Sequence, residues 1–453
     1  MDCDAHELAR ALVSNPVSAL ARLPEPTQAS APKCTAIVGG GWAGLAAAVE
    51  ATRLGHAVTL FEMAPQLGGR ARSVGARGQD SGLDNGQHIL IGAYTETLAL
   101  MRRVGVDIDA AFVRSPLRIS YPDCTGLHLG AGSPAGAFTR AVFARRGWPW
   151  AARAALLRAA AGWWLGSFRC DPALTVAALT ARLPAVVRND LIDPLCVAAL
   201  NTPAAEASAS VFLRVLHDAL LTGPGSADLL LPGVGLSALL PDPAAQWLAQ
   251  AGAVVRLTHR VEHLQAEGNA WRLDGELFDR VVLAATPHEA ARLARSVAPA
   301  WSACTAALRF EPIVTVYLHG DGVRLAEPML ALRSDDGHPA QFVFDRGQLG
   351  GPPGLLAFVV SGAAPWVERG SDATLQATLA QAQTMLGGHL RAPLDPVQVL
   401  VEKRATFRCT PGLERPAPCI VPGLLAAGDH VAGPYPATLE GAVRSGLWAA
   451  RQL

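Results

Sequence analysis

Three glycines near the start of the chain have the spacing of a diphosphate-binding turn. Gly39, Gly41 and Gly44 follow a short apolar run and fit the pattern G-x-G-x-x-G. In such a turn the first glycine allows a sharp bend, the second lets the backbone approach a diphosphate, and the third lets a helix pack closely on a strand. The positive end of that helix then faces the phosphates, so Trp42 and Ala43 join the predicted contacts.

The elements around the turn strengthen this interpretation, because a glycine triple alone is a weak signal in a chain with 44 glycines. The sequence predicts a strand over 35–38, a helix over about 43–54 and a second strand over 57–61. In that order they form a right-handed parallel βαβ unit. Glu62, directly after the second strand, can accept hydrogen bonds from ribose hydroxyls, and its charge disfavours NADP there. A merely structural turn is the alternative.

Two further segments resemble the amine oxidase and phytoene desaturase superfamily. The segment 67–72 is Leu-Gly-Gly-Arg-Ala-Arg, and 426–429, near the end of the chain, is Ala-Ala-Gly-Asp. The resemblance implies that the first segment lies along the diphosphate of an FAD, and that the second approaches its ribityl chain or diphosphate. An ordinary polar loop and a simple turn are the alternatives. The residues so assigned to FAD are Gly69, Arg70, Arg72, Gly428 and Asp429.

The segment 435–442 resembles the start of the closing helix of the same superfamily. The resemblance places Thr438 and Leu439 under the pyrimidine edge of the flavin, where a positive helix end would stabilise negative charge on a reduced ring. Val261 lies where superfamily members contact adenine through a valine backbone. These features imply an α/β protein with a Rossmann-like FAD-binding domain and an interleaved α+β substrate domain, as in flavin amine oxidases.

Residues 83–94 form the most distinctive segment, Leu-Asp-Asn-Gly-Gln-His-Ile-Leu-Ile-Gly-Ala-Tyr. In the superfamily this segment faces the isoalloxazine ring, which assigns Gly86 and Gln87 to the cofactor. Its D-N-G-Q-H-I sequence, together with the segment 433–442, resembles the hydroxysqualene dehydroxylases of bacterial hopanoid synthesis. The resemblance implies an FAD-dependent enzyme that replaces an allylic C–O bond of a C30 isoprenoid by C–H.

That chemistry needs a proton donor for the departing water and a site that excludes solvent. His88 is the first candidate because histidine titrates near neutral pH and its segment should face the ring, and Tyr435 is the second. A hydrogen-bonded core histidine is the alternative. Spacing does not separate this reaction from that of a desaturase or amine oxidase, which takes hydride from its substrate, nor from a non-catalytic isoprenoid carrier. No motif indicates the electron donor.

The stretch 124–170 suits an apolar substrate that resides in a bilayer. It contains no acidic residue, whereas arginines attract anionic headgroups and tryptophans settle at the membrane interface. We expect it to dock on a membrane, and an arginine-rich helical lid is the alternative. The residues concerned are Arg140, Arg145, Arg146, Arg153, Arg158, Arg169, Trp148, Trp150, Trp163 and Trp164.

Composition limits the remaining possibilities. With 38 basic and 38 acidic residues, the chain has no net charge to attract nucleic acid. Eight scattered cysteines without a C-x-x-C pattern predict neither a metal site nor a disulfide scaffold and fit a reducing cytoplasm. No segment predicts a transmembrane helix. We therefore expect a cytoplasmic enzyme, peripheral on the inner face of the cytoplasmic membrane.

A chain of 453 residues exceeds what one core normally supports, so two domains are expected. Short β-like runs over 229–240, 253–257 and 280–285 predict that the nucleotide-binding sheet resumes after a helical stretch. The predicted FAD-binding domain comprises 34–105, 225–293 and 405–453, the substrate domain comprises 106–224 and 294–404, and residues 1–33 form an N-terminal extension.

Overall fold

The computed structural model describes residues 32–75, 83–123, 125–130, 132–390 and 392–453. Most of the predicted extension, 1–31, lies outside the described residues. The strands are β1 Cys34–Val38, β2 Ala57–Phe61, β3 Ser73–Val74, β4 Leu83–Asp84, β5 Leu90–Ile91, β6 Phe112–Ser115, β7 Arg118–Ser120, β8 Thr125–His128, β9 Leu229–Pro232, β10 Val254–Arg256, β11 Leu264–Glu267, β12 Ala270–Leu273, β13 Glu276–Phe278, β14 Arg280–Leu283, β15 Phe310–His319, β16 Met329–Ala331, β17 Phe342–Asp345, β18 Leu355–Val360, β19 Asp395–Phe407, β20 Cys419–Val421 and β21 Leu424–Ala426.

The helices lie mainly between these strands. They are α1 Trp42–Arg53, α2 Thr95–Arg103, α3 Ile108–Ala111, α4 Pro134–Ala144, α5 Trp150–Leu165, α6 Val176–Leu179, α7 Ala185–Val187, α8 Asp193–Leu200, α9 Ala209–Leu221, α10 Leu236–Leu239, α11 Pro241–Gln250, α12 Pro287–Ala294, α13 Pro299–Ala306, α14 Ala364–Arg369, α15 Ser371–Leu386 and α16 Leu439–Arg451. A π-helical turn, Arg188–Ile192, joins α7 to α8, and 3-10 turns lie at Arg346–Gln348 and Gly387–His389.

The predicted βαβ unit is confirmed as β1, α1 and β2. It belongs to a six-stranded sheet with the order β10-β2-β1-β14-β21-β20, in which the neighbouring strands from β10 to β21 are parallel and β20 is antiparallel. The central strands β1 and β14 are almost wholly apolar and buried, as expected for parallel strands covered on both faces. The predicted α/β fold class is therefore confirmed.

Helix α1 covers one face of this sheet and packs against α16. Both helices are rich in small residues, which lets their backbones approach closely. A Cβ at Gly446 of α16 would stand 2.1 Å from the carbonyl oxygen of Ala43 in α1. On the opposite face, Val281 and Leu283 of β14 pack with the strands β11–β13 and with α12. The segments that contain α1 and α16 are thus held together beside the glycine turn.

A second, antiparallel sheet has the order β16-β17-β18-β15-β19 and packs against α15. Residues 313–318 lie within β15, a central strand that pairs with β18 on one side and with β19 on the other. Helices α4 to α9 build a separate apolar cluster around Leu156, Val187 and Phe212. This helical cluster and the antiparallel sheet form the walls of the cavity described below. In the part of the chain that the structure describes, no helix is long and apolar enough to cross a bilayer.

The prediction of β-like structure over 229–240 is wrong beyond Pro232, where the chain turns into α10 and α11. A continuous apolar run cannot distinguish a buried strand from a buried helix by periodicity. A distant residue stabilises the start of α10, where Asp84 Oδ1 accepts from the amide of Leu236 at 2.9 Å. The runs at 253–257 and 280–285 do form the parallel strands β10 and β14.

Candidate functional site

The described residues enclose a cavity of about 1040 Å³ that begins at the carboxyl ends of β1, β2 and β14. Ligands of open parallel sheets bind at this edge. From the glycine turn the cavity passes the segment Asn85–His88 and continues between the helical cluster and β15. Its near part is lined by glycines and charged groups, whereas its far part is lined by aliphatic and aromatic side chains.

Glycine stands at the three positions of the turn for different structural reasons. Gly39 has a φ of 113°, and a Cβ there would lie 2.5 Å from the carbonyl oxygen of Ala284. At Gly44 a Cβ would lie 1.8 Å from the carbonyl oxygen of Gly39. At Gly41 the nearest atom, the Cα of Gly69, is 3.9 Å away. Packing therefore dictates the outer two glycines, and the middle one leaves open space at the amino end of α1, where a diphosphate fits.

Glu62 is buried and joins the end of β2 to the turn. Its Oε2 accepts from the amide of Gly40 at 2.6 Å, and its Oε1 accepts from the amide of Ala64 at 2.8 Å. A carboxylate has about four acceptor positions, so further hydrogen bonds from ribose hydroxyls remain available. Trp42 is also buried, and its indole donates to the carbonyl of Ala71 at 2.9 Å. The Trp42 side chain thus fixes the turn against the segment 67–72, and only its backbone is suited to face a phosphate.

Arg70 and Asp429 connect the two predicted cofactor segments. Arg70 Nη2 lies 2.6 Å from Asp429 Oδ1, and Arg70 Nη1 donates to the carbonyl of Ala405 at 2.7 Å. Burial opposes ionisation of Asp429, but the charge of Arg70 and a hydrogen bond from His430 outweigh it and hold the pKa of Asp429 well below its ordinary value. The side chain of Arg72 instead turns back to donate to the carbonyl of Gly69.

The segment Asn85–His88 lines the middle of the cavity, with Gly86 at a φ of 91°. Asn85 Nδ2 donates to the carbonyl of Arg70 at 2.8 Å and to Glu402 Oε2 at 3.2 Å. Gln87 Nε2 donates to the Tyr317 hydroxyl at 2.8 Å. The segment is therefore hydrogen-bonded both to the diphosphate end of the site and to the antiparallel sheet.

His88 faces the cavity in a desolvated environment. Burial lowers the pKa of His88 from 6.5 to about 4, with a smaller contribution from the charge of Arg70, while a hydrogen bond that the imidazole donates to the backbone carbonyl of Asn85 opposes the shift. The imidazole is consequently neutral at pH 7. This environment is at odds with the expectation that a histidine pKa near neutrality makes His88 a ready acid, because a neutral imidazole keeps one N–H to donate in a hydrogen bond but is a very weak proton donor.

The remaining predicted residues lie at the two ends of the site. Val261 is buried, and its carbonyl accepts from Arg292 at 2.6 Å, so a backbone contact to adenine would use its amide. Thr438 caps α16 by accepting from the amide of Gly441 at 3.0 Å, and Leu439 begins the helix. Gly428 lines the cavity directly after β21. All four residues line the cavity, and their contacts to adenine and to the ring stay predictions.

Tyr435 lies half-buried at the apolar side of α16. The guanidinium groups of Arg214 and Arg444 stand 5.3 and 5.5 Å from its ring centre, and Arg214 donates to its hydroxyl at 3.4 Å. Burial raises the pKa of Tyr435, although both arginines oppose the shift. The hydroxyl therefore keeps its proton at pH 7 and is available to donate it in a hydrogen bond.

Sequence reasoning missed a buried network that supports Gln87. The Tyr317 hydroxyl donates to the carbonyl of Asp84 at 2.8 Å and accepts from the amide of Asp84 at 3.0 Å. Arg346 lies between Gln87 Oε1, at 3.2 Å, and Asp84 Oδ2, at 3.4 Å. Sequence reasoning also missed Arg415, which donates to carbonyls of the loop 429–435. No local pattern marks Tyr317 or Arg346, because their partners lie more than two hundred positions away in the sequence.

The structure divides the predicted membrane stretch. Arg145 and Trp148 are buried, and both contact Asp190 Oδ2, at 3.3 and 3.0 Å. Trp163 lines the cavity, whereas Trp150 and Trp164 are exposed. The buried pair, whose partner acid lies outside the stretch, therefore cannot contribute to a membrane-facing surface, and docking through the rest of the stretch stays a prediction.

Residues 42–453 match the model of the family described as flavin containing amine oxidoreductase. The chain belongs to this family. Its members are FAD-dependent, and the open position at Gly41, the adjoining helix end and the Arg70–Asp429 pair fit that cofactor. This flavin amine oxidoreductase is therefore an FAD-dependent oxidoreductase, and the predicted cofactor is confirmed.

Individual relatives show which proteins this flavin amine oxidoreductase is similar to within its family. It is 28% identical over 433 residues to the hydroxysqualene dehydroxylase of Sinorhizobium fredii, covering 92% of this chain and 98% of the relative. It is 29% identical over 443 residues to the hydroxysqualene dehydroxylase of Rhodopseudomonas palustris, covering 92% and 97%. These similarities confirm the resemblance that the sequence suggested. Among solved structures, an oxidoreductase from Methanosarcina mazei superposes with a TM-score of 0.69 at 15% identity, covering 92% of this chain and all of that one, which supports the fold.

Proposed function

We propose that this enzyme converts hydroxysqualene to squalene, using reduced FAD as the source of hydride. The observation that carries the proposal is the continuity of one cavity from the flavin-binding residues to a large apolar chamber. Leu156, Trp163, Leu195 and Leu216 are among the side chains that line this chamber. An apolar chamber of this kind suits an isoprenoid chain and excludes the water that would intercept an allylic cation.

The relatives support the same substrate class. The two hydroxysqualene dehydroxylases align over nearly their whole length, so the similarity includes the helical region as well as the nucleotide-binding sheet. A zeta-carotene desaturase from Zea mays is 40% identical, but over only 85 residues, or 18% of this chain. Full-length similarity therefore favours the dehydroxylase over the desaturase alternative.

The departing hydroxyl group needs a hydrogen-bond donor from the protein. We keep His88 as the first candidate to contact the hydroxyl, now as a neutral imidazole whose unprotonated nitrogen accepts from it, and Tyr435 as the second, whose hydroxyl donates to it. The hydroxyl takes a proton from the Tyr435 phenol as the C–O bond breaks and leaves as water, and the carbon gains hydride. Arg214 and Arg444 lie beside the resulting phenolate, which regains its proton from solvent once the product has left. Bound FAD in its reduced form supplies that hydride. The surrounding apolar walls hold the substrate and exclude solvent.

We also propose that the enzyme associates with the inner face of the cytoplasmic membrane through part of the stretch 124–170. The exposed side chains of α5 support this, since Trp150 and Trp164 are 69% and 62% exposed.

The domain boundaries given from the sequence stay a prediction, although the strands of the parallel sheet do come from 34–105, 225–293 and 405–453.

Anaerobic reoxidation tests the reaction directly. The purified holoenzyme is reduced under argon, mixed with hydroxysqualene, and followed by flavin absorbance and by extraction of products. We expect the oxidised flavin spectrum to return with formation of an equal amount of squalene. Reoxidation only by oxygen or a quinone, with hydroxysqualene unchanged, would indicate a carrier. Reduction of the oxidised enzyme by squalene or an amine would instead indicate the desaturase or amine oxidase alternative.

A further inference from the structure

The C-terminal end of α5 is apolar on two opposite sides. Trp163 and Phe168 line the cavity, while the intervening Trp164 and Leu165 are 62% and 75% exposed. Exposed tryptophan and leucine side by side are unfavourable in water unless another apolar phase covers them. Within this short stretch the wall of the apolar chamber is also the outer surface of the protein.

The C-terminal end of α9 shows the same two-sided pattern at the same place. Leu220 lines the cavity, and Leu221 is 37% exposed. The two helix ends meet where the ring of Phe168 packs edge-on against His217 of α9, with ring centres 5.5 Å apart. Phe168 has a φ of 54°, in the left-handed region that bulky residues rarely adopt. The chain after α5 is thus bent so that an aromatic side chain stands between the chamber and the exposed patch.

Basic side chains outnumber acidic ones along α5 and just after it; the acids nearest to the patch in the sequence are Asp171 and Asp218, and Asp218 is paired with Arg214 at 3.0 Å. No acidic residue occurs between Asp123 and Asp171. Arg158 in α5 and Arg169 just after it are exposed, and within the described residues neither makes an ion pair. Basic side chains beside exposed tryptophans complement an anionic headgroup layer that lies over an apolar interior.

We propose that the two helix ends form a portal, made of Trp163, Trp164, Leu165, Phe168, Leu220 and Leu221, that inserts into an anionic bilayer and passes the substrate from lipid into the chamber. The exposed residues enter the acyl layer, the arginines contact headgroups, and Phe168 closes the chamber. The passage of substrate rests on the proposed function, whereas insertion into the bilayer does not.

Vesicle flotation tests the insertion. Holoenzyme is mixed with vesicles of phosphatidylglycerol and phosphatidylcholine, and the bound fraction is measured at low and high salt. We expect Leu165→Glu, and Arg158→Glu combined with Arg169→Glu, each to lower the partition coefficient at least about tenfold. The matched controls are Leu277→Glu, at an exposed leucine of β13, and Arg102→Glu combined with Arg295→Glu, and they should bind like the unaltered chain. Equal binding by all variants would overturn the proposal.

Depth-dependent quenching locates the inserted residue without measuring turnover. Lipids brominated on the upper acyl chain should quench tryptophan fluorescence of the holoenzyme, and Trp164→Phe should remove much of that quenching. Trp448→Phe, at an exposed tryptophan of α16, should leave the quenching unchanged. Undiminished quenching in Trp164→Phe would exclude the portal as the inserted surface. Sedimentation without lipid tests the competing occupant, since a dimer abolished by Leu165→Glu would show that a second copy covers the patch and would overturn the proposal.

Turnover in two media tests the passage of substrate. Leu165→Glu should convert hydroxysqualene in vesicles at least about tenfold more slowly than the unaltered enzyme, because it no longer docks. With the same substrate in detergent micelles the two should be equal. Equal rates in vesicles would overturn the portal. If the unaltered enzyme converts hydroxysqualene in neither medium while flotation and quenching hold, the proposed reaction fails and the membrane insertion stands.

Discussion

Arg70 and Asp429 are separated by 359 positions in the sequence, yet Arg70 Nη2 lies 2.6 Å from Asp429 Oδ1 at the centre of the cofactor site. The pair joins the segment after β2 to the segment after β21. It places a cation and an anion side by side where the diphosphate and the ribityl chain of FAD are expected. The site is therefore complete only when the segment after β2 and the segment after β21 lie together.

Breaking this pair should weaken both the fold and the binding of FAD. Asp429→Ala leaves the Arg70 charge unpaired, and the cost should be below the ~3–5 kcal/mol of a fully buried pair because Arg70 is 33% exposed to the cavity. We expect a loss of about 1–3 kcal/mol in the free energy of unfolding of the apoprotein, measured in urea. Asp429→Asn keeps the shape and one hydrogen bond, so it should lose less. Equal stability of Asp429→Ala and the unaltered chain would contradict this role.

Two glycine substitutions should separate folding from cofactor binding. Gly44→Ala places a methyl group 1.8 Å from the carbonyl oxygen of Gly39, and we expect a loss of more than ~4 kcal/mol and little folded protein. Gly41→Ala meets no atom within 3.9 Å, so the protein should fold normally. Its methyl group points into the diphosphate space, and FAD affinity should fall at least about tenfold, or ~1.4 kcal/mol. Circular dichroism and FAD titration measure the two effects, and normal FAD affinity in Gly41→Ala would be the contrary result.

The lowered pKa of His88 makes a prediction about stability against pH. Because the folded pKa is about 4 and the unfolded pKa is 6.5, the unfolded chain binds more protons between these values. His88 therefore destabilises the apoprotein progressively as pH falls from 6.5 to 4, by up to about 3 kcal/mol. We expect His88→Gln to lose less stability than the unaltered chain between pH 7 and pH 4.5. Parallel pH profiles for the two proteins would show that His88 titrates normally.

The Tyr317 hydroxyl should position Gln87 rather than react. Tyr317→Phe removes its hydrogen bonds to Asp84 and Gln87, and leaving a buried amide without its partner costs ~1–3 kcal/mol. We expect a shifted absorbance spectrum of bound FAD as well as lower stability, since Gln87 lies in the segment assigned to the ring. Tyr121→Phe, whose hydroxyl makes a long 3.5 Å bond to Asp190, is the control and should leave the spectrum unchanged. An unaltered spectrum in Tyr317→Phe would exclude the positioning role.

Local patterns explain which parts of the fold were predictable. The unit from β1 to Glu62 is contiguous, and each of its glycines and its acid has a meaning within about twenty-five positions. The start of α10 was not apparent from the local sequence, because the carboxylate that accepts from its first amide lies 152 positions away. The roles of Tyr317 and Arg346 could not be predicted for the same reason, because their partners lie more than two hundred positions away. Likewise, the burial of Arg145 depends on Asp190, so a count of arginines within 124–170 overestimates the membrane surface.

Deuterium transfer tests the central claim most directly. The enzyme is reduced anaerobically in D₂O, so that exchangeable hydrogen on the reduced flavin becomes deuterium, and a single turnover with hydroxysqualene is analysed by mass spectrometry. The account predicts squalene that carries one deuterium at the carbon that held the hydroxyl group, and none when the solvent is H₂O. Squalene formed without deuterium, or no squalene from fully reduced enzyme, would contradict hydride delivery from FAD at this site.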